Sequence, residues 1–252
     1  MPSGDPPRLV GRRVLRLTEA GSTNDVAVRL ADEGTVIWTD RQTAGRGRRG
    51  RSWLALPGKS LSASVLLRLP LDRDRWGLLG MTAALAVRRA ATAWGVHAGV
   101  KWPNDVVCGE RKLAGTLAET VGDAVVVGIG CNVNGGPDEF PPKLRGRVTT
   151  LEVERGSPAE LEAFASGLWE AVDVMYGLLL RGPAEVLAEW RAADALAGRS
   201  VMAQTPQGPV YGTHCGVDDC GALLLEVGDG RVLRLLAGEV SLREGGPDTP
   251  RV

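Results

Sequence analysis

Eleven residues, AVVVGIGCNVN from Ala124 to Asn134, set the terms for the whole chain. A strand with one wet face alternates polar and apolar residues, so a run this apolar predicts a central strand covered on both faces. Such a sheet needs helices. Asp72 to Trp94 reads as a long helix whose Leu78, Leu79, Met81, Ala84, Leu85 and Val87 form an apolar stripe closed by Gly95. Two more helices are expected at about Pro158 to Arg181 and Pro183 to Ala195. Partner strands are read in LVGRRVLRL (Leu9 to Leu17), TVIWTD (Thr35 to Asp40) and the alternating KSLSASVLLRLP. VKWPNDVVCGERKLAGTLAET reads as two short strands about a turn at Gly109 and Glu110; Pro103 forces a corner presenting Asn104 and Asp105, and Lys112 opens the returning strand. From Gly198 onward short alternating segments separated by Gly, Asp and Pro take over, the pattern of a small all-β barrel. The expected fold is therefore α+β: a mixed β-sheet domain flanked by helices over residues 1–197, then a small C-terminal all-β barrel over 198–252.

A chain of 252 residues suits one large domain, or one with a small appendage, and can bury a substantial core. Thirty basic residues balance thirty acidic ones, which argues against a protein built to coat nucleic acid or an anionic membrane; any anion site must be local. MPSGDPPRLVGRRVLRL carries charge and proline where a signal peptide needs an apolar run, and no later stretch reads as a membrane span, so the expected location is the cytoplasm. Cys108, Cys131, Cys215 and Cys220 lie too far apart for a zinc knuckle. His214, Cys215 and Cys220 lack a fourth ligand, and packing is the preferred reading; no protein-held metal site is expected.

RQTAGRGRRGRSW, from Arg41 to Trp53, holds five arginines and three glycines with no acid among them. As a loop leaving a strand end it is suited to gripping an anion, since glycine lets backbone N–H groups approach and arginine offers charged, planar forks. A solvated basic loop or an RNA-binding patch is the competing reading. In GSTNDVAVRLADEG, Ser22 or Thr23 can cap a helix, Asp25 complements its dipole and Gly34 ends it. Ser22, Thr23 and Asn24 then sit at a helix N-terminus, which serves either simple capping or a polar ligand.

Five segments, STND at Ser22, GRGRRGRSW at Gly45, KWPND at Lys101, RKLAGTLAE at Arg111 and GIGCNVN at Gly128, occur in an order and at separations that resemble biotin protein ligase, also called biotin–acetyl-CoA-carboxylase ligase. The resemblance runs from Ser22 through AGEVSLR at Ala237 to Arg243. It implies that the biotin carboxylate attacks the α-phosphorus of ATP, giving biotinyl-5′-adenylate and pyrophosphate, and that a lysine of a biotin carboxyl carrier protein then displaces AMP. Two anions must be brought together, so fixed cations and positioning carry the chemistry.

Carried over residue by residue, the resemblance assigns biotin to Ser22, Thr23, Asn24, Gln42, Gly45, Arg46, Gly47, Arg48, Lys112 and Gly115, with Ser22, Thr23 and Gln42 on the ureido ring. ATP falls to Arg48, Arg51, Trp53, Asn104, Lys112 and Asn132, with the Trp53 face offered to adenine; anchoring its loop to the core is the other reading of Trp53. Lys112, Arg48, Asn104 and Asp105 are the implied catalytic set: Lys112 touches both carboxylate and α-phosphate, Asn104 orients the phosphate or its Mg²⁺, and Asp105 steers the incoming lysine. Glu239 and Arg243 are the expected contacts from the barrel. Ligases that also act as repressors carry an N-terminal helix-turn-helix; only 21 residues precede Ser22, so no specific DNA partner is expected. A homodimer is left open. Cys131 stands where an aliphatic residue is expected. The rivals are a lipoate–protein ligase, which should lack the GRGRRGRSW and KWPND pair, and a nucleic-acid-binding module, disfavoured by zero net charge and by a loop without interleaved aromatics.

Overall fold

A computed structural model describes residues 8–68, 72–236 and 238–242. In chain order the elements are β1 (Val14–Arg16), α1 (Thr23–Leu30), β2 (Val36–Thr39), β3 (Ser60–Leu67), α2 (Leu78–Ala93), β4 (Gly99–Lys101), β5 (Asp105–Cys108), β6 (Arg111–Val121), β7 (Ala124–Asn132), α3 (Leu151–Arg155), α4 (Leu161–Arg181), α5 (Pro183–Ala193), β8 (Ser200–Thr205), β9 (Gly208–Val217), β10 (Leu223–Glu226), β11 (Val232–Leu235) and β12 (Glu239–Leu242). β1 to β7 form one mixed sheet in the order β1-β2-β3-β7-β6-β5-β4, parallel only between β1 and β2.

The apolar run lands where its composition requires. β7 lies between β3 and β6, and the two sides of the sheet are covered differently. Val125, Val127, Ile129 and Cys131 join Leu61, Ala63 and Val65 of β3 in the main core with α2, α4 and α5. Ala124 and Val126 join Leu66 and Ala27 of α1 in a smaller cluster. Every residue of β3 is buried, so its polar alternation does not mark a wet face: Ser60, Ser62 and Ser64 pair in register with Asn132, Gly130 and Gly128. The GxGxN spacing thus puts small and polar groups on one face while Ile129 and Cys131 fill the other. Cys131 is fully buried and its thiol is pushed well up by burial, as for a small packing residue.

Several boundaries differ from the sequence reading. α1 ends at Leu30, four residues before Gly34; that glycine has φ +76 and leaves room for the N-terminal segment, since a Cβ there would lie 2.0 Å from Leu9 O. Of Leu9 to Leu17 only Val14–Arg16 is strand, and the preceding backbone is held by Asp173, whose Oδ1 accepts from Leu9 N (2.6 Å) and Val10 N (2.7 Å). α2 begins at Leu78, after a separate 3₁₀ turn at Arg73–Arg75. α3 was not foreseen, although Thr150 Oγ1 caps it at Val153 N (3.1 Å) and Gly156 closes it with φ +82. By length and hydropathy α4 passes for a membrane span, contrary to the sequence reading; its apolar content is explained by Phe164, Leu168, Met175 and Leu179, all buried in the core.

β8 to β12 form an all-antiparallel sheet in the order β11-β10-β9-β8-β12, with no ladder between β11 and β12 among the described residues. It is tied to the first sheet by a buried pair, His214 Nε2 to Asp194 Oδ2 at 2.6 Å, and by Ala195 N donating to Val100 O (2.9 Å). Gly216 N donates to His214 Nδ1 (3.2 Å), so Nε2 carries the proton donated to Asp194.

Candidate active site

Ser22, Thr23, Asn24, Gln42, Arg46, Gly47, Arg48, Arg51, Trp53, Asn104, Asp105, Lys112, Gly115, Asn132 and Glu239 line one cavity of about 310 Å³ between the α1 side of the main sheet and the inner edge of the C-terminal sheet, while Gly45 lies behind this lining and Arg243 is outside the described residues. One end is neutral and polar. Ser22 occupies the N-cap position of α1 but makes no capping bond; it is buried and lines the cavity with Thr23 and Asn24, so simple capping does not account for STND. Gln42 Oε1 accepts from Thr23 N (2.9 Å) and Thr23 Oγ1 (3.2 Å). Ser64 Oγ lies 2.6 Å from Asn24 Oδ1 and 2.7 Å from Thr23 Oγ1, and Asn24 Nδ2 donates to Glu119 Oε2 (2.5 Å). This network needs bare backbone beneath it: a Cβ on Gly128 would lie 2.5 Å from Asn24 Oδ1, and one on Gly45 2.6 Å from Gln42 Nε2.

The arginine loop is a small hairpin. Trp53 N donates to Gly45 O (2.8 Å), Gly47 N to Arg51 O (2.6 Å), and the turn carries Arg49 at φ 57 and Gly50 at φ 71. The carboxylates that the loop lacks come from elsewhere. Arg46 makes a fork on Asp25 (2.8 Å twice) and reaches Glu119 (3.1 Å), holding the Asp25 carboxyl below its usual range. Arg51 pairs with Glu239 of β12. Arg48 and Arg49 donate to the carbonyls of Gly238 and Gln204, both at 3.4 Å. Arg48 is thus left without a carboxylate partner and half-buried, and burial lowers its pKa.

Trp53 lies against Gly130, where a Cβ would come within 2.3 Å of the indole, and its Nε1 is buried without a partner. The ring therefore anchors the loop to β7. Lys112 Nζ is 5.7 Å from its centroid and 2.6 Å from Asp105 Oδ1.

A bulge brings Lys112 to this face. β5 pairs Val106 with Ala114 but Val107 with Lys112, leaving Leu113 as an extra residue turned into the core. Lys112 consequently shares a face with Gly115, where a Cβ would lie 2.7 Å from Nζ and would displace the tip of the Lys112 side chain from its place beside Asp105. Asn104 donates its amide to Thr116 O, so part of its role is to fix the corner. Asn132 Nδ2 donates to Thr149 O (3.1 Å) while its buried Oδ1 has no partner. Two parts of the lining escaped the sequence reading. Phe140, Leu144 and Val148 form an apolar wall from a segment that reads as a proline-bearing connection, and Lys101 faces the cavity from within KWPND, three residues before the corner Asn104.

The sequence profile of the biotin/lipoate A/B protein ligase family matches residues 10–135, half of the chain and nearly all of this cavity's main-sheet side. The chain belongs to that family. The profile of the biotin protein ligase C-terminal domain matches residues 197–243. Within this family, the biotin–acetyl-CoA-carboxylase ligase of Mycobacterium tuberculosis is 34% identical over 235 residues, 89% of this chain and 86% of that one. The bifunctional ligase/repressor BirA of Bacillus subtilis is 30% identical over 93% of this chain and 74% of its own length. Among solved structures, the biotin protein ligase of Aquifex aeolicus in complex with biotin and ATP superposes with a TM-score of 0.83 at 28% identity, over 93% of this chain and all of that one.

Proposed function

We propose that this ligase couples biotin to the lysine of a biotin carboxyl carrier protein, spending ATP to AMP and pyrophosphate. The observation that carries the reading is the single cavity in which a neutral polar end meets a cationic end, with Lys112 and its Asp105 partner between them. The ureido group of biotin has donors and an acceptor that match the remaining hydrogen-bonding capacity of Ser22, Thr23, Asn24 and Gln42, whereas a dithiolane offers that polar end no partner, which argues against lipoate. The Gly45–Gly47 strand of the loop closes over the bicyclic ring, and Arg46 braces it from outside through Asp25 and Glu119.

In the first step a carboxylate oxygen of biotin attacks the α-phosphorus of ATP, and the bond to the bridging oxygen of pyrophosphate breaks. Lys112 lies between both anions as a compact charge, aimed by Asp105, and Arg48 and Arg51 hold phosphate oxygens. In the second step the neutral amine of the carrier lysine attacks the anhydride carbonyl, AMP leaves, and the amine proton passes to solvent. Trp53 and Asn132 border the place left for the nucleotide. Mg²⁺ enters as MgATP: among the described residues no three His, Cys, Asp or Glu side chains cluster to hold a metal, and Asp105 is engaged by Lys112. A cytoplasmic location and the absence of a specific DNA partner belong to the same reading, the latter supported by zero net charge. Pyrophosphate exchange into ATP that requires biotin and is not supported by lipoate tests the function; exchange with lipoate, or none with biotin, overturns it.

A further inference from the structure

The chain has only four lysines, Lys59, Lys101, Lys112 and Lys143, among 30 basic residues. Arginine is its ordinary cation, yet two of the four lysines line the cavity. Lys59 is on the surface and paired with Glu139. Lys112 is paired with Asp105. Lys101 is different: at the end of β4 it is mostly buried, and among the described residues it makes no hydrogen bond and no ion pair. Burial lowers its pKa, opposed by Asp105 and reinforced by Lys112 and Arg51. Glu110 is the other charge near it.

The charges around it can be counted. Arg48, Arg51, Lys101 and Lys112 face Asp105 and Glu239; Asp105 is taken by Lys112 and Glu239 by Arg51. Two cations, Arg48 and Lys101, remain without a carboxylate. A buried ammonium without a counter-ion is costly, and its place is justified by an anion that arrives with the substrate. The α-phosphate has Lys112. Lys101 pairs in register with Asp105 from the outer strand of the sheet, beside Trp102, whose Nε1 donates to Gly221 O of the C-terminal domain (2.9 Å) and whose ring borders Gly238. Lys101 therefore lines the cavity on the side bordered by the C-terminal sheet, a separate position from the Lys112–Asp105 pair.

We propose that Lys101 is a further catalytic residue of this ligase, holding the β- and γ-phosphates of ATP and stabilising pyrophosphate as it leaves, and that it acts in adenylation but not in transfer. The inference rests on the biotin-ligase reading. In the step concerned, the bond between the α-phosphorus and the bridging oxygen breaks, the electron pair goes to the pyrophosphate oxygen, and the Lys101 ammonium faces the charge that develops there. No proton need move. A compact, strongly hydrated point charge suits a group that must also release its product, which a bidentate arginine fork would retain.

The test separates the two half-reactions on the full chain. Lys101→Met should lower biotin-dependent pyrophosphate exchange by roughly 10²-fold and raise the KM for ATP, the scale of losing one charge-stabilising group. Biotin affinity and the transfer of biotin from supplied biotinyl-5′-adenylate to a carrier domain should change less than about threefold on that argument. Lys101→Arg, which keeps the charge, should recover at least about a tenth of the exchange rate. Near-normal exchange in Lys101→Met, or a parallel loss of exchange and transfer, overturns the proposal; the second result would make Lys101 a structural residue or a base for the acceptor lysine. Equal failure of the methionine and arginine variants also overturns it. A wild-type enzyme without biotin-dependent exchange would overturn the functional reading itself, and this inference with it.

Discussion

The two ends of the cavity are built on opposite principles. At the Ser22 end each polar group shown is satisfied by another: Gln42 by Thr23, Asn24 by Ser64 and Glu119, Arg46 by Asp25. At the Lys112 end the cations outnumber the carboxylates, and two of them have none. The first end is a preformed mould for a neutral ring, held by α1, β3 and β7. The second is an electrostatic deficit divided among a loop, two strand ends and the C-terminal sheet, completed only when phosphate arrives. Under the proposed function, the contrast teaches that shape selects one substrate and charge the other, so perturbations at the two ends should separate in kinetics.

The largest expected effect lies where the ends meet. Lys112→Ala should reduce biotinyl-adenylate formation by roughly 10³-fold with an unchanged unfolding midpoint, since its ammonium supports catalysis and not packing. A variant that still makes adenylate at near the wild-type rate would remove the centre of the comparison. Next, Gly128→Ala should weaken biotin binding by roughly 10- to 100-fold, as expected for disrupting a buried polar pair, and leave the KM for ATP nearly untouched. Titration calorimetry with biotin alone reads this; a matching loss for ATP would show that the ends are one unit.

Alkaline pH offers a finer cut. The pKa of Lys101 is lowered by burial, so its charge is full below that value and is lost as pH rises through it. kcat/KM for ATP should therefore fall at a pH below that of an ordinary lysine, and Lys101→Arg should abolish this inflection; an inflection retained by the variant would belong to another group. The smallest effect is expected at Asp25. Its folded pKa is depressed by Arg46, so its contribution to stability is present above its unfolded pKa and lost as pH falls through the folded value. The pair is exposed, and Asp25→Asn should cost less than about 1 kcal/mol, shrinking further with salt. Chemical denaturation at two ionic strengths checks it.

The sequence made the architecture legible where one period dominates. The apolar run of β7, the stripe of α2 and the short alternating strands after Gly198 each admit one packing solution, and the structure adopts it. Ser22, Thr23 and Gln42, picked out by motif order, lie together on the cavity wall. What stayed hidden depends on contacts distant in sequence. Gly34 looked like a helix stop but serves a crossing with Leu9, 25 residues earlier in the chain by their numbers. Arg46 looked like an anion ligand, and only the fold reveals Asp25 and Glu119 beside it. The wall of Phe140, Leu144 and Val148 belongs to a segment without periodicity, so no pattern announces it. Glu239 was foreseen as a contact but not its partner Arg51, while Arg243, foreseen with it, lies outside the described residues, as does Ala237.

The bulge in β6 makes that strand behave like a text with one inserted letter. From Ala114 to Val121 its frame is set by the ladder with β7, whereas Arg111 and Lys112 are read in the other phase because Leu113 takes up one place without a partner. The strand can thus keep an uninterrupted hydrophobic phase for the core while its first residues follow a phase of their own. Without the bulge, and with Leu113 kept in regular alternation, Lys112 would fall on the phase of Ala114, toward the core and away from Asp105, leaving every residue of the motif present and the chemistry without its charge.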